Sequence, residues 1–106
     1  DLEQDFLDAY NAGHYLYTLR SNVSRASSRI ANKERELKNV SKEMRGKEAA
    51  LIDRETTTEE RILLLADLKE LSERTGKIET EIKVLYQELA QYQLELDNYQ
   101  ASNVGY

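Results

Sequence analysis

Apolar positions recur along this chain in two stripes, each advancing by steps of three and four residues. The first stripe consists of Leu16, Leu19, Val23, Ala26, Ile30, Lys33, Leu37, Val40, Met44, Lys47 and Leu51. The second stripe consists of Leu64, Leu68, Leu71, Thr75, Ile78, Ile82, Leu85, Leu89, Tyr92, Leu96 and Tyr99. A repeat of about 3.5 residues is the seam along which α-helices pair in a coiled coil. The pattern therefore predicts two long helices.

The two stripes mirror each other about Thr57–Thr58. Counting outwards from that point, Leu51 matches Leu64, and Leu37 matches Ile78. Matching in opposite directions is expected of one chain that folds back on itself, with two antiparallel helices joined by a short loop. We predict an all-α fold, an antiparallel coiled-coil hairpin, with the pairing of two hairpins into a four-helix arrangement left open.

One continuous helix that dimerises in parallel is the alternative architecture. Steps of seven residues from Leu51 reach Thr58 and Leu65, whereas the second stripe passes through Leu64. This change of register favours the hairpin, because a parallel coiled coil keeps its heptads in phase.

The predicted helices cover residues 2–53 and 58–102, joined by a turn at residues 54–57, in a single domain of residues 1–106. Two threonines are candidates for the residue that caps the second helix. Thr57 is followed three residues later by Glu60, and Thr56 is followed likewise by Glu59. Both spacings fit a capping box, so the sequence leaves the choice between them open.

The composition agrees with long helices and removes several functional classes. The 106 residues include no proline and four glycines, and 40% of them are hydrophobic, a fraction too high for disorder. Cysteine is absent, so disulfides and thiolate metal sites are excluded. No run of about 18 apolar residues occurs, and the sequence therefore predicts no membrane-spanning helix.

The net charge of −5 is unevenly distributed along the chain. Residues 20–47 carry nine basic and three acidic side chains, whereas residues 59–99 carry ten acidic and five basic ones. A basic stretch with Arg20, Arg25 and Arg29 can indicate a ligand- or nucleic-acid-binding face. The acidic second helix is predicted to lie beside this basic stretch. We therefore expect it to neutralise much of the positive electrostatic field of the stretch, and we expect no nucleic-acid partner.

Candidate catalytic and metal-ligating residues are few. His14 is the single histidine, and neither Ser21 nor Ser24 supplies a buried acid–base set. The glutamates lack the loop spacing and the turn glycine of a calcium site, and no glycine-rich phosphate loop occurs. We therefore expect no enzyme, no cofactor and no metal site, and the sequence identifies no small-molecule substrate.

Two groups of apolar and aromatic residues exceed what one seam can cover. Near the turn, Ile62, Leu63 and Leu65 cannot all face the first helix at about 100° per residue, and Ile52 adds to the excess. At the other end, Phe6 and its neighbours extend past the predicted end of the second helix, close to several tyrosines, a residue favoured at interfaces. The candidate interaction residues are Phe6, Tyr10, Tyr15, Tyr17, Ile52, Ile62, Leu63, Leu65, Tyr99 and Tyr106.

The chain begins with the segment DLEQDFLDAYNAGHYLYTL. The residues that carry its pattern are Phe6, Ala9, Tyr10, Gly13, Leu16, Tyr17 and Leu19. This pattern resembles a segment in a family of uncharacterised proteobacterial envelope lipoproteins, in which a helical region follows it. The resemblance implies a location on the periplasmic side of the bacterial envelope, within a larger lipoprotein of unknown role. It implies no active site.

These observations predict a structural or protein-interaction coiled-coil module that is not catalytic. Its expected partner is a second copy of itself or another envelope protein. The alternative is a ligand- or nucleic-acid-binding module that uses the basic face of the first helix.

Overall fold

A computed structural model describes residues 1–102 as two α-helices joined by a short turn. Helix α1 covers Leu2–Ile52 and helix α2 covers Thr58–Ser102. The predicted all-α helical hairpin is confirmed, and residues 1–102 contain no strand. Both helices also begin and end within one residue of their predicted bounds.

Hydrogen bonds in the turn show which of the two candidate threonines caps α2. The Thr57 hydroxyl oxygen accepts a hydrogen bond from the Glu60 backbone N–H at 3.2 Å, so Thr57 is the N-cap of α2. The Thr56 hydroxyl instead donates to the Ala50 carbonyl oxygen at 2.6 Å. Thr56 therefore satisfies one of the carbonyls that the end of α1 leaves without a helical partner.

By their internal contacts, the residues group into two compact units, and each helix contributes to both. The turn unit consists of Ala31–Val84. The terminal unit consists of Asp1–Ile30 with residues 85–102 among those described. The prediction of a single domain over residues 1–106 stays a prediction.

The turn unit has a core along the predicted seam. Val40, Leu71 and Ile78 are buried there, with 2%, 6% and 2% of their surface exposed. The half-buried side chains of Leu37, Met44 and Ile82 pack against this cluster. All six belong to the two stripes, so the core lies along the seam at which the stripes predict that the helices pair.

The terminal unit has buried side chains on the same stripes, at Leu19, Ala26, Ile30 and Leu96. Every residue from 1 to 15 is exposed. The buried part of this unit therefore begins one helical turn beyond Tyr15, and the first turns of α1 present their apolar residues to solvent.

Candidate interaction surfaces

Four large apolar side chains near the turn are exposed, as their spacing predicts. The exposed fractions are 82% for Ile52, 62% for Ile62, 67% for Leu63 and 55% for Leu65. We call these four residues the turn surface. Side chains of this size are usually covered in a folded protein, and a group of them marks a contact site.

Three members of the turn surface belong to α2, and helix geometry places them at different positions around that helix. Leu64 is half-buried on the predicted seam, and successive residues turn by about 100°. Leu63 and Leu65 therefore lie on opposite flanks of the seam, and Ile62 lies on the side of α2 away from α1. Residues 62–65 form one turn of α2 that is apolar around its whole circumference, which is typical of a helix that is buried on several sides.

The flank that carries Leu63 includes a shallow groove of about 250 Å³. Its lining residues are Ala50, Thr56, Glu60, Leu63, Leu64 and Asp67. Leu65 is not among them, which agrees with its place on the opposite flank. Leu63 and Leu65 therefore lie in two apolar areas of the turn surface, one on each flank of the seam.

Arg61 ties the start of α2 to the end of α1. Its Nε donates to the Leu51 carbonyl oxygen at 3.2 Å, and its Nη2 donates to the Asp53 carbonyl oxygen at 2.9 Å. This contact was not predicted from the sequence. A signal for it existed, because Arg61 lies three residues before Leu64 and therefore on the side of α2 that faces α1.

Two lysines of α1 reach carboxylates on α2. Lys47 Nζ lies 3.1 Å from an oxygen of Asp67. Lys33 Nζ contacts carboxylates of both Glu81 and Glu36. The hydrogen bond from Lys33 to Glu81, which has the larger effect, and the hydrogen bond to Glu36 raise the pKa of the Lys33 ammonium above its ordinary value. Both polar members of the first stripe thus keep their charge at the edge of the seam while their stems cover it.

The start of α1 carries a second exposed group, which we call the N-terminal surface. Its residues and exposed fractions are Leu2 88%, Phe6 71%, Leu7 51%, Tyr10 64%, Tyr15 50% and Tyr17 69%. A shallow groove of about 440 Å³ is lined by Leu2, Glu3, Phe6 and Leu7. The Tyr10 ring lies parallel to the His14 ring with 6.4 Å between their centroids, so part of the surface is covered by its own helix.

Tyr99 behaves differently from the other candidate tyrosines. It is half-buried, and its hydroxyl donates to the Ala12 carbonyl oxygen at 3.1 Å. Its ring meets the Tyr15 ring edge-on, with centroids 5.0 Å apart and planes at 68°, a favourable aromatic geometry. Tyr99 therefore joins α2 to α1 within the terminal unit. Tyr106 lies outside the described residues.

The basic residues Arg20, Arg25 and Arg29 are exposed. None of the three forms an ion pair within residues 1–102. Direct ion pairs with α2 are therefore not found at these positions, and the expected neutralisation of the field by the neighbouring acidic helix stays a prediction. Arg25 and Arg29 share a small groove of about 70 Å³ with Asn22, Ala26 and Tyr92.

The chemical groups needed for metal chemistry are not assembled in the described part of the chain. Residues 1–102 hold no group of three or more His, Cys, Asp or Glu side chains placed to bind a metal ion. Within the same range, neither helix is apolar over a stretch long enough to cross a membrane.

Comparison of the chain with protein-family models, with curated proteins and with solved structures finds no match. What defines the class of the protein is therefore its own architecture, an all-α helical hairpin. Its exposed apolar residues are concentrated at the turn surface and at the N-terminal surface, which makes these two areas the candidate functional sites.

Proposed function

We propose that this chain is a non-catalytic protein-interaction module and that the turn surface is its main contact. The observation that carries the proposal is the exposure of Ile52, Ile62, Leu63 and Leu65, each above one half. They lie where Arg61 already holds the two helices together. The exposed apolar area is therefore a feature of a formed helix end and not of a frayed one.

The free-energy cost of leaving these apolar side chains in water favours a partner that covers them. Burying a Leu or Ile side chain contributes about 1.5–3 kcal/mol relative to leaving it in water. Several such side chains together supply enough free energy to drive association of two folded chains, after the loss of translational and rotational freedom is deducted. Covering either area of the turn surface would recover part of this free energy.

Sedimentation of the purified chain tests the proposal. We expect the wild-type chain to associate and the double variant Ile62→Glu with Leu65→Glu to be a soluble, helical monomer. The matched control is Val84→Glu with Leu94→Glu, which changes two exposed apolar residues of α2 outside the turn surface and should leave association intact. A wild-type chain that stays monomeric at high concentration would contradict self-association and require a different protein as the partner.

We also propose that the module belongs to a larger protein on the periplasmic side of the bacterial envelope. The support is the resemblance of the first nineteen residues to the envelope lipoprotein segment, carried by residues such as Phe6, Tyr10 and Gly13. Fractionation of the native protein from its own cells tests this location. Recovery in the cytoplasmic fraction, with no incorporation of labelled fatty acid, would contradict it.

The alternative function has one supporting observation, the lack of ion pairs for Arg20, Arg25 and Arg29 within residues 1–102. Against it, the described part of the terminal unit carries seven acidic and three basic side chains, which opposes long-range attraction of polyanions. Salt-sensitive retention on DNA or anionic vesicles that is lost when these three arginines become glutamates would favour this alternative.

A further inference from the structure

We infer that a second copy of this chain covers the outer side of α2 at the turn surface, with the two α2 helices antiparallel. In this arrangement Ile62 of each copy packs against Ala66 of the other. The inference rests on the proposed function and deepens it, because it specifies the partner, its direction and its register.

The first observation is a short third stripe on α2. Glu59, Ile62, Ala66 and Lys69 follow one another at steps of three, four and three residues, the spacing of a coiled-coil seam. All four are exposed. At about 100° per residue they lie within one side of the helix, turned away from the half-buried Leu64. This side of α2 has the pattern of a helix-pairing face without a helix against it.

The second observation is that this stripe is complementary to itself when reversed. In a two-fold dimer, each residue that contacts another is contacted by it in return. Reversing the stripe places the large Ile62 opposite the small Ala66, at two equivalent positions. The same register places Glu59 opposite Lys69, because each charge lies three residues outside the apolar pair. Shape and charge therefore agree on one register.

The charges also decide the direction of the pairing. A parallel arrangement would bring Glu59 against Glu59 and Lys69 against Lys69, and like charges across a helix pair are unfavourable. Neither residue forms an ion pair within the described residues, so both are available at the surface. Leu65, at the side of this stripe, is covered further as the two helices approach.

Charge reversals at the two ends of the stripe test this register. We expect Glu59→Lys alone and Lys69→Glu alone to weaken dimerisation about tenfold, since each replaces two attractive exposed pairs by two repulsive ones. An equimolar mixture of the two variants should recover the wild-type dissociation constant, because in the mixed dimer both pairs are again attractive. Sedimentation at low salt measures all three, and circular dichroism checks that each variant is helical.

The control carries the same reversals elsewhere on α2. Glu79→Lys and Lys83→Glu change exposed residues outside the stripe, and their dissociation constants should match the wild-type value alone and mixed. A mixture of the Glu59 and Lys69 variants that dimerises no better than either alone would overturn the antiparallel register.

The two proposals fail in different ways. If the wild-type chain dimerises and the Ile62→Glu with Leu65→Glu variant does not, but the charge variants show no recovery on mixing, the turn surface is the contact and the register is wrong. If the wild-type chain is monomeric at high concentration, self-association itself fails and this inference fails with it.

Discussion

The turn unit and the terminal unit use the same heptad pattern but are held by different contacts. In the turn unit, Lys33 and Lys47 reach carboxylates on α2, and Arg61 binds the end of α1. In the terminal unit, Tyr99 of α2 contacts the Ala12 carbonyl and the Tyr15 ring of α1. Charge supplements packing in one unit, and aromatic contacts supplement it in the other.

This difference between the two units predicts where the hairpin begins to unfold locally. The turn unit combines a buried cluster with a short connection, so its pairing needs little loop-closure entropy. The terminal unit leaves residues 1–15 exposed, and a helix gains most of its stability from packing rather than from its own propensity. We therefore expect local unfolding to begin in the first turns of α1, at a lower free energy than global unfolding.

The largest expected effect is the loss of a buried side chain from the turn unit. Ile78→Ala removes most of a side chain that is 2% exposed, and we expect it to lower the free energy of unfolding by about 3 kcal/mol. The matched change in the terminal unit, Leu96→Ala, should cost less, because Leu96 is 8% exposed and does not belong to the buried cluster that contains Ile78. Chemical denaturation at one fixed protein concentration measures both, and an equal or larger loss for Leu96→Ala would break the comparison.

The next largest effect on stability is expected from the hydrogen bonds that attach the start of α2 to the end of α1. Arg61→Met keeps an apolar stem but removes two hydrogen bonds to backbone carbonyls, and we expect a loss of about 1–2 kcal/mol. Arg54→Met is the control, since it removes the same charge from an exposed position in the turn. Thermal unfolding followed by circular dichroism compares the two. Equal melting temperatures would show that the Arg61 hydrogen bonds do not stabilise the turn unit.

A smaller effect is expected from the aromatic contact of the terminal unit. Tyr99→Phe removes the hydrogen bond to Ala12 and keeps the ring against Tyr15, so we expect a loss of less than about 1 kcal/mol. Tyr99→Leu removes the aromatic pair as well and should cost more. Amide hydrogen exchange in the first turns of α1 is the measurement. Unchanged exchange in both variants would show that Tyr99 does not hold this part of α1.

The smallest expected effect depends on pH. Because hydrogen bonds to Glu81 and Glu36 raise the pKa of Lys33, its contribution to stability is complete below the ordinary lysine pKa of about 10.4. That contribution is lost as the pH rises through the higher pKa of the folded state. The stability difference between wild type and Lys33→Met should therefore be constant near neutral pH and shrink in strong alkali. The matched control is Lys38→Met, which removes a lysine charge from an exposed position that forms no ion pair within residues 1–102.

The exposed residues could be predicted to a large extent from their spacing. Ile52, Ile62, Leu63 and Leu65 were expected to exceed the seam, and all four are exposed. Tyr99 was also a candidate for an external contact, but its hydroxyl and ring contact α1 within the terminal unit. Spacing identifies the side of a helix, whereas the partner of a long side chain depends on which groups lie within its reach.

The spacing of apolar residues was enough to predict the helical hairpin, the bounds of its two helices and the seam between them. Periodicity is a local property, so the burial of Val40 and Ile78 can be predicted from it before any tertiary contact is known. The roles of the two threonines, with Thr57 capping α2 and Thr56 binding the end of α1, could be assigned only from the contacts across the turn. Local geometry allows either threonine to act as the cap, and the carbonyl groups that lie within reach of each hydroxyl across the turn select between them.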